Sequence, residues 1–159
     1  MKIMFLHGLE SGPYGAKYQA LRHRFGEVIS PDCTGISDPI QRLKIILSTI
    51  EPSAEPVLVI GSSMGGLMAL LLQQACPEKV AGLLLCAPAL HRPAASGLTA
   101  DSLPPTLIIH GRFDTVVPIE TSRKFGAPLL EVDDDHSLNN SLTRIVAETV
   151  TLKKQLEEN

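Results

Sequence analysis

The chain has 159 residues, a length that suits one domain, and we expect residues 1–159 to form a single unit. Its net charge is −3 and its basic residues are scattered, which argues against a nucleic-acid-binding face. The three cysteines, Cys33, Cys76 and Cys86, are far apart and odd in number, which disfavours a disulfide framework and a thiolate metal site. No apolar run has the length of a membrane span or of a signal-peptide core. We therefore expect a cytoplasmic protein with neither nucleic acid nor a membrane as its partner.

In the first half of the chain, apolar runs of strand length alternate with helical patterns. Residues 2–7 predict a buried strand, residues 14–25 a helix and residues 27–31 a short second strand. Asp38 followed by Pro39 predicts the start of the next helix. Its apolar face is expected to contain Ile40, Leu43, Ile46, Leu47 and Ile50. Residues 57–60 predict a third strand, and the almost wholly apolar stretch after it predicts a buried helix.

The second half continues the alternation. Strands are predicted at 80–86, 106–110 and 128–132, with a short helix at 118–125 and a closing helix from about residue 137. This order predicts an α/β fold, a three-layer α/β/α sandwich around a six-stranded, mostly parallel sheet. In such sheets the ligand crevice lies at the carboxyl ends of the strands. The segments that follow these ends are His7-Gly8, Ser63, Pro88, Asp114 and 133–136.

Residues 60–66 carry the most informative pattern, Ile-Gly-Ser-Ser-Met-Gly-Gly. It places Gly61-x-Ser63-x-Gly65 between a predicted strand and a predicted helix. A strand that turns sharply into a helix strains the residue at the turn and exposes its side chain, and the residues two before and two after must be very small. Ser63 is therefore the predicted nucleophile. Ser62 is the alternative, but it lies one position early.

A serine hydroxyl needs a base to take its proton, and that base, a histidine, needs a third group to orient it. Asp114 lies in the loop after the fifth predicted strand, and His136 lies just after the sixth. Asp133, Asp134 and Asp135 compete for the role of the carboxylate. A carboxylate next to His136 in the sequence is poorly placed to reach its imidazole, so Asp114 is favoured.

Four other histidines are rival bases. We expect His7 to shape a turn through its own loop contacts, His110 to be a satisfied buried imidazole and His23 to lie on a solvated helix face with two arginines. His91 is a candidate substrate contact. No H-x-x-x-H or H-x-x-E-H spacing occurs, and the G-x-G-x-x-G and Gly-Lys-Ser/Thr patterns are absent, so neither a metal nor another cofactor is expected.

Four segments together resemble the α/β-hydrolases, in particular small single-domain serine esterases without a cap. These are the Leu-His-Gly-Leu-Glu-Ser-Gly-Pro segment at 6–13, the serine turn at 61–66, the Gly-Arg-Phe-Asp-Thr-Val-Val-Pro segment at 111–118 and Asp-His-Ser at 135–137. The resemblance implies Ser63 as nucleophile, His136 as general acid/base and Asp114 as its orienting carboxylate. It also implies an oxyanion hole made by the backbone N–H groups of Leu9 and Met64.

The resemblance further implies a sheet in which the predicted second strand lies beside the first, followed by the third to the sixth. Two departures from the family are visible. The usual pair of leading antiparallel strands is missing, and the segment 87–105 is too short for a helical cap. We therefore expect an open, shallow site that favours small acyl groups. Leu9 and Met64 are expected at the acyl pocket, with five candidate substrate contacts: His7, Leu90, His91, Val116 and Val117.

The leading hypothesis from the sequence is a serine hydrolase that cleaves a carboxylic ester or thioester through an acyl-enzyme. The partner it implies is a small-molecule acyl substrate. Two alternatives stay open: a binding or interaction protein that keeps the fold without the chemistry, and an amidase, peptidase or acyltransferase that uses the same three residues.

Overall fold

The computed structural model describes residues 1–159. Its centre is a sheet of five parallel strands in the order β1-β2-β3-β4-β5. The strands are β1 (Ile3–Leu6), β2 (Val57–Ser62), β3 (Val80–Cys86), β4 (Thr106–Gly111) and β5 (Leu129–Val132). The helices are α1 (Ala16–Phe25), α2 (Pro39–Ile50), α3 (Met64–Ala75), α4 (Ile119–Phe125) and α5 (Leu142–Glu157). The predicted α/β class with a parallel sheet is confirmed.

The prediction of six strands was wrong by one. The segment predicted as a second strand makes only a bridge, in which the Phe5 N–H donates to the Ile29 carbonyl at 2.8 Å and the Ile29 N–H donates to the Ile3 carbonyl at 2.9 Å. It lies beside β1, at the sheet edge where the resemblance put it. The pairing stops there because Pro31 has no N–H with which to continue a ladder.

Two apolar cores cover the two faces of the sheet. On one face, α2 and α3 pack together over side chains such as Val59 and Leu85, and on the other α1 and α5 pack over side chains such as Leu58 and Leu84. Because successive side chains of a strand enter opposite cores, each of these buried strands is a nearly continuous apolar run. No helix combines the length and apolar character needed to cross a bilayer.

Helix α2 begins where the sequence predicts, since the Asp38 carboxylate accepts the Gln41 N–H at 3.3 Å and Pro39 is the first helical residue. Its buried face agrees with the predicted one in part: Ile46 and Ile50 are buried as expected, and Leu43 and Leu47 are partly buried against the core. Ile40 is 65% exposed, and the inward positions are Arg42, Ile46 and Ile50 at a spacing of four residues. A fully buried arginine thus lies on this face at position 42, where no buried side chain was expected.

The closing helix begins at Leu142 rather than near residue 137. Leu138 adopts a left-handed conformation with φ of 55°, and a short 3-10 turn at Asn139–Ser141 precedes the helix. The buried Asp134 carboxylate holds this turn by accepting the Asn140 N–H and the Ser141 hydroxyl. These residues connect β5 to α5 and place the end of β5 at the same sheet edge as the ends of the other strands.

Helix α3 crosses the end of β1 at very short range. A Cβ atom built on Gly65 would overlap the Leu6 carbonyl and would lie 2.8 Å from the His7 carbonyl oxygen. Both neighbours are backbone, so neither can yield as a flexible side chain would. Only glycine fits at this crossing.

The variant Gly65→Ala should therefore be strongly destabilised, by about 3 kcal/mol or more, because the added methyl group forces helix and strand apart. Gly15→Ala is the matched control, since no atom lies within 4 Å of its Cβ position and its φ is −75°; its free energy of unfolding should stay within about 1 kcal/mol of wild type. Urea unfolding followed by circular dichroism measures both. Equal stability of the two variants would contradict the tight crossing.

Candidate active site

Ser63 stands between the last residue of β2 and the first residue of α3. Its backbone is strained, with φ of 55° and ψ of −114°. Its N–H donates to the Cys86 carbonyl at 2.9 Å, and its own carbonyl accepts the N–H groups of Gly66 at 2.9 Å and Ala89 at 3.0 Å. The turn is thus fixed from both sides, by β3 and by α3.

Glycines around Ser63 allow the strand and the helix to approach. A Cβ on Gly61 would overlap the Gly65 carbonyl, and one on Gly66 would lie 2.9 Å from the Cα of Pro88. The sequence pattern predicted the need for small residues at 61 and 65. Its third glycine serves a contact that the pattern did not indicate, with the segment after β3.

The structure joins Ser63, His136 and Asp114 in one hydrogen-bonded chain. The Ser63 Oγ lies 3.0 Å from His136 Nε2, and His136 Nδ1 lies 2.7 Å from Asp114 Oδ2. A carboxylate only accepts, so Nδ1 carries the imidazole proton and Nε2 accepts from the hydroxyl. The Asp114 side chain has no exposed surface, whereas the His136 side chain is 23% exposed. This arrangement can take a proton from the serine hydroxyl while holding the imidazole in a single tautomer.

Four donors surround the Asp114 carboxylate. Its Oδ1 accepts the N–H groups of Val116 and Val117, each at 2.8 Å, and its Oδ2 faces both His136 and His110, whose Nε2 lies 3.1 Å away. Burial alone would raise the pKa of Asp114, but the hydrogen bonds from His136, Val117 and Val116 outweigh it and hold the pKa below its usual value. The group beside His136 is therefore a carboxylate anion.

His110 is fully buried and fully satisfied, as the sequence predicted. Its Nδ1 lies 2.7 Å from the Ser122 hydroxyl, and its Nε2 lies 3.0 Å from the Val117 carbonyl oxygen. The Nε2–H therefore faces both that carbonyl and the Asp114 carboxylate. No motif in the sequence indicated this contact between His110 and Asp114. The feature of the sequence that could have indicated the contact is the spacing of four residues between His110, near the end of β4, and Asp114 in the following loop.

The competing carboxylates have other partners. Asp133 pairs with Arg112 and is 74% exposed, Asp134 holds the turn before α5, and Asp135 accepts the N–H and hydroxyl of Ser137. None of the three touches the His136 imidazole. Of the rival bases, His23 lies exposed on α1.

A cavity of about 650 Å³ opens beside Ser63 and His136. The loop after β1 and the start of α1 form one wall, and the segment after β3 forms another. Leu9 and Met64 line it as expected, and so do the candidate substrate contacts His91 and Val116. Burial lowers the pKa of His91, and the nearby Arg92 lowers it further, which favours the neutral imidazole.

The other three candidate substrate contacts lie away from the cavity wall. Val117 is fully buried and donates its N–H to Asp114. Leu90 packs against the apolar core on the α2–α3 face. His7 is 2% exposed, with Nδ1 2.8 Å from the Gly8 carbonyl oxygen, and its Nε2 accepts the Cys33 N–H at 2.9 Å. His7 thus makes contacts with its own loop and with Cys33 and does not line the cavity.

Leu9 and Met64, which line the same cavity as Ser63, have backbone N–H groups with no carbonyl partner. The Leu9 N–H has no acceptor among the backbone and side-chain hydrogen bonds of its loop. Met64 is the first residue of α3, a position whose N–H has no carbonyl within the helix to bind. A Cβ on Gly8 would lie only 3.6 Å from the Ser63 Cβ, so the two segments are in contact range. Free N–H groups at a helix start suit an anion. No group of three or more His, Cys, Asp or Glu side chains is arranged to hold a metal ion.

The pattern of the alpha/beta hydrolase family matches residues 3–149. No curated protein sequence matches the chain. Among solved structures, a protein from Xanthomonas campestris pv. campestris assigned to the alpha/beta superfamily of hydrolases is 26% identical, with a TM-score of 0.78 over 99% of this chain and 98% of that one.

Two further structures share the fold at lower identity. Est1E from Butyrivibrio proteoclasticus is 17% identical, with a TM-score of 0.82 over 99% of this chain and 88% of that one. The alpha/beta hydrolase domain-containing protein 10 from mouse is 20% identical, with a TM-score of 0.75 over 98% and 90%. The family pattern covers nearly the whole chain and the architecture agrees with it, so this protein belongs to the alpha/beta hydrolase family.

Proposed function

We propose that this protein is a cofactor-independent serine hydrolase that cleaves a carboxylic ester or thioester of a small acyl group. The observation that carries the proposal is the unbroken hydrogen-bonded chain from Ser63 through His136 to Asp114 at the edge of the cavity. Ordinary packing does not require a strained serine, a partly exposed histidine and a buried carboxylate in this order. An acyl transfer requires all three.

In the first half of the reaction, Ser63 Oγ attacks the carbonyl carbon while His136 Nε2 takes its proton. The resulting imidazolium is stabilised by Asp114, whose lowered pKa keeps it charged. The carbonyl oxygen becomes an oxyanion and accepts hydrogen bonds from the N–H groups of Leu9 and Met64. Each such donor contributes about 2.7–4 kcal/mol of transition-state stabilisation. His136 then returns the proton to the leaving alcohol or thiol, and the bond to the leaving group breaks.

In the second half, water attacks the acyl-enzyme with His136 Nε2 as base, through a second oxyanion on the same two N–H groups. The carboxylic acid leaves and Ser63 regains its proton. The same residues act in both halves, and no step needs a metal or an organic cofactor. We place this activity in the cytoplasm, which the cysteine spacing favours.

The size of the cavity supports a small substrate. A volume of about 650 Å³ lies within the range of small-molecule sites, and the segment between β3 and β4 forms only a short 3-10 turn at Pro93–Ala95 instead of a cap. Est1E, which shares the fold, is known with ferulic acid bound. A compact carboxylic acid of that kind is compatible with the proposed acyl group.

The first test is the reactivity of Ser63. The wild-type protein should react stoichiometrically with a fluorophosphonate probe at Ser63, and Ser63→Ala should neither react nor turn over p-nitrophenyl acetate, because no other hydroxyl is hydrogen-bonded to the His136 imidazole. Ser62→Ala is the matched control and should keep the label. Peptide mass mapping locates the modification. Hydrolysis by a clean Ser63→Ala preparation would rule out the mechanism.

The second test concerns Asp114. Asp114→Asn should lower kcat by about 10³- to 10⁴-fold, because an amide in place of the carboxylate no longer fixes the His136 tautomer. It should also be less stable than wild type at pH 6. The folded-state pKa of Asp114 lies below the usual value near 3.9, so its stabilising effect is complete above that value and is lost as pH falls through the lowered pKa.

The gap in free energy of unfolding between wild type and Asp114→Asn should therefore shrink from pH 6 to pH 3, as measured by urea unfolding. Asp133→Asn, which removes an exposed carboxylate, is the control and should leave kcat unchanged. A gap that grows as the pH falls would show that Asp114 is not held as an anion in the folded protein.

The third test is acyl length. Among p-nitrophenyl esters, acetyl to hexanoyl groups should give the highest kcat/KM, and dodecanoyl should fall at least about tenfold below them, because no cap covers a long chain. Hydrolysis rates measured below the solubility limit of each ester make the comparison. A clear preference for the long-chain ester would contradict the small-acyl assignment, while leaving the Ser63 mechanism intact.

A further inference from the structure

Arg42 is the one arginine that is fully buried, with 1% of its surface exposed. It lies on the inward face of α2, in line with Ile46 and Ile50. No carboxylate lies within ion-pair distance of its guanidinium. An arginine stays charged in a protein, and a buried charge is costly unless other groups solvate it. Its presence in an apolar core therefore requires a physical reason.

Backbone carbonyls supply that solvation, and two of them belong to the loop after β1. The Arg42 Nη1 donates to the His7 carbonyl at 3.0 Å, Nη2 donates to the Gly8 carbonyl at 3.2 Å, and Nε donates to the Ile36 carbonyl at 2.6 Å. The planar guanidinium thus donates hydrogen bonds to two successive peptide units of the loop.

The Gly8 carbonyl oxygen has two donors besides Arg42: the His7 ring and, at 3.4 Å, the Ser11 hydroxyl. His7 Nε2 accepts the Cys33 N–H, so the ring proton is on Nδ1, which donates to the Gly8 carbonyl at 2.8 Å. Both Arg42 and His7 therefore hold the oxygen of one peptide unit. That unit also contains the Leu9 N–H. A trans peptide is planar and its N–H is directed opposite to its C=O, so fixing the oxygen also fixes the N–H.

We infer that Arg42 is a positioning residue for the oxyanion, acting through the Gly8–Leu9 peptide with the help of His7. Donation to the Gly8 oxygen polarises the amide and makes the Leu9 N–H a stronger donor, and the buried positive charge favours the negative transition state. The inference rests on the proposed function, because it needs the Leu9 N–H to receive the oxyanion. It assigns Arg42 no contact with substrate.

The experiment compares Arg42→Met and Arg42→Lys with wild type in p-nitrophenyl acetate hydrolysis and in the binding of an aryl boronic acid. The boronic acid adds to Ser63 as a tetrahedral anion and so probes the oxyanion site directly. Arg42→Met should lower kcat about 10- to 100-fold, less than the 10²- to 10³-fold expected for loss of a whole donor. Boronic acid affinity should fall by a similar factor, and KM should change less than about threefold. Arg42→Lys, with one point charge instead of a fork, should be intermediate.

Ile50→Ala is the control for a purely structural role, because it weakens the same buried face of α2 two turns from Arg42 without touching the loop. All rates are measured at a temperature where thermal unfolding curves show each variant folded. Ile50→Ala should keep the wild-type kcat and boronic acid affinity. If Arg42→Met does not fold, Arg42→Lys alone decides, and a kcat reduced together with boronic acid affinity supports the inference.

Two results would overturn the inference without affecting the proposed function. One is a folded Arg42 variant with kcat and boronic acid affinity within about threefold of wild type. The other is an equal loss in Ile50→Ala at equal stability. A wild-type protein that neither reacts with a fluorophosphonate nor hydrolyses any ester would instead remove the proposed function, and the inference with it.

Discussion

The close passage of α3 over the end of β1 is the constraint on which the rest of the candidate site depends. Gly65 lies against the Leu6 carbonyl there, with no room for a side chain. Because β1 continues directly into Gly8 and Leu9, the crossing that allows α3 to begin at Met64 also brings that loop against Ser63. The same packing contact therefore determines both the core and the geometry of the candidate site. Any displacement of α3 from the sheet would separate Ser63 from the loop that contains Gly8 and Leu9.

Two buried charges contact loops of the candidate site, and the backbone solvates both. The Asp114 carboxylate accepts the N–H groups of Val116 and Val117, and the Arg42 guanidinium donates to the carbonyls of His7 and Gly8. Neither arrangement is a simple ion pair. Each charge organises one loop, since the peptide groups that solvate it cannot turn away without leaving a charge unpaired. The proposed base, His136, is hydrogen-bonded to Asp114 in the first of these loops. The proposed oxyanion donor, the Leu9 N–H, belongs to the second.

The sequence indicated which side chains lie together at the candidate site better than it indicated what surrounds them. The serine turn, Asp114 and His136 each have a local pattern, and their order along a parallel sheet places them at one edge. The burial of Arg42 has no such signal, because its partners are carbonyls 34 and 35 residues away in sequence and every residue type carries a carbonyl. The bridge at Ile29, where a full strand was predicted, has a similar cause. Pairing at a sheet edge depends on which backbone N–H groups reach the neighbouring strand, and the hydrophobicity of the residues does not indicate this.

The segment between β3 and β4 determines how open the site is. In place of a cap it forms one 3-10 turn, and its apolar residues, including Leu90, Leu98 and Leu103, pack down onto the core. The same packing takes Leu90 away from the cavity and leaves His91 at its wall. With no cap to enclose a substrate, the loop after β1 and the start of α1 supply much of the remaining surface. That loop also contains the proposed Leu9 donor, so under the proposed function one loop would both contact the substrate and stabilise the oxyanion.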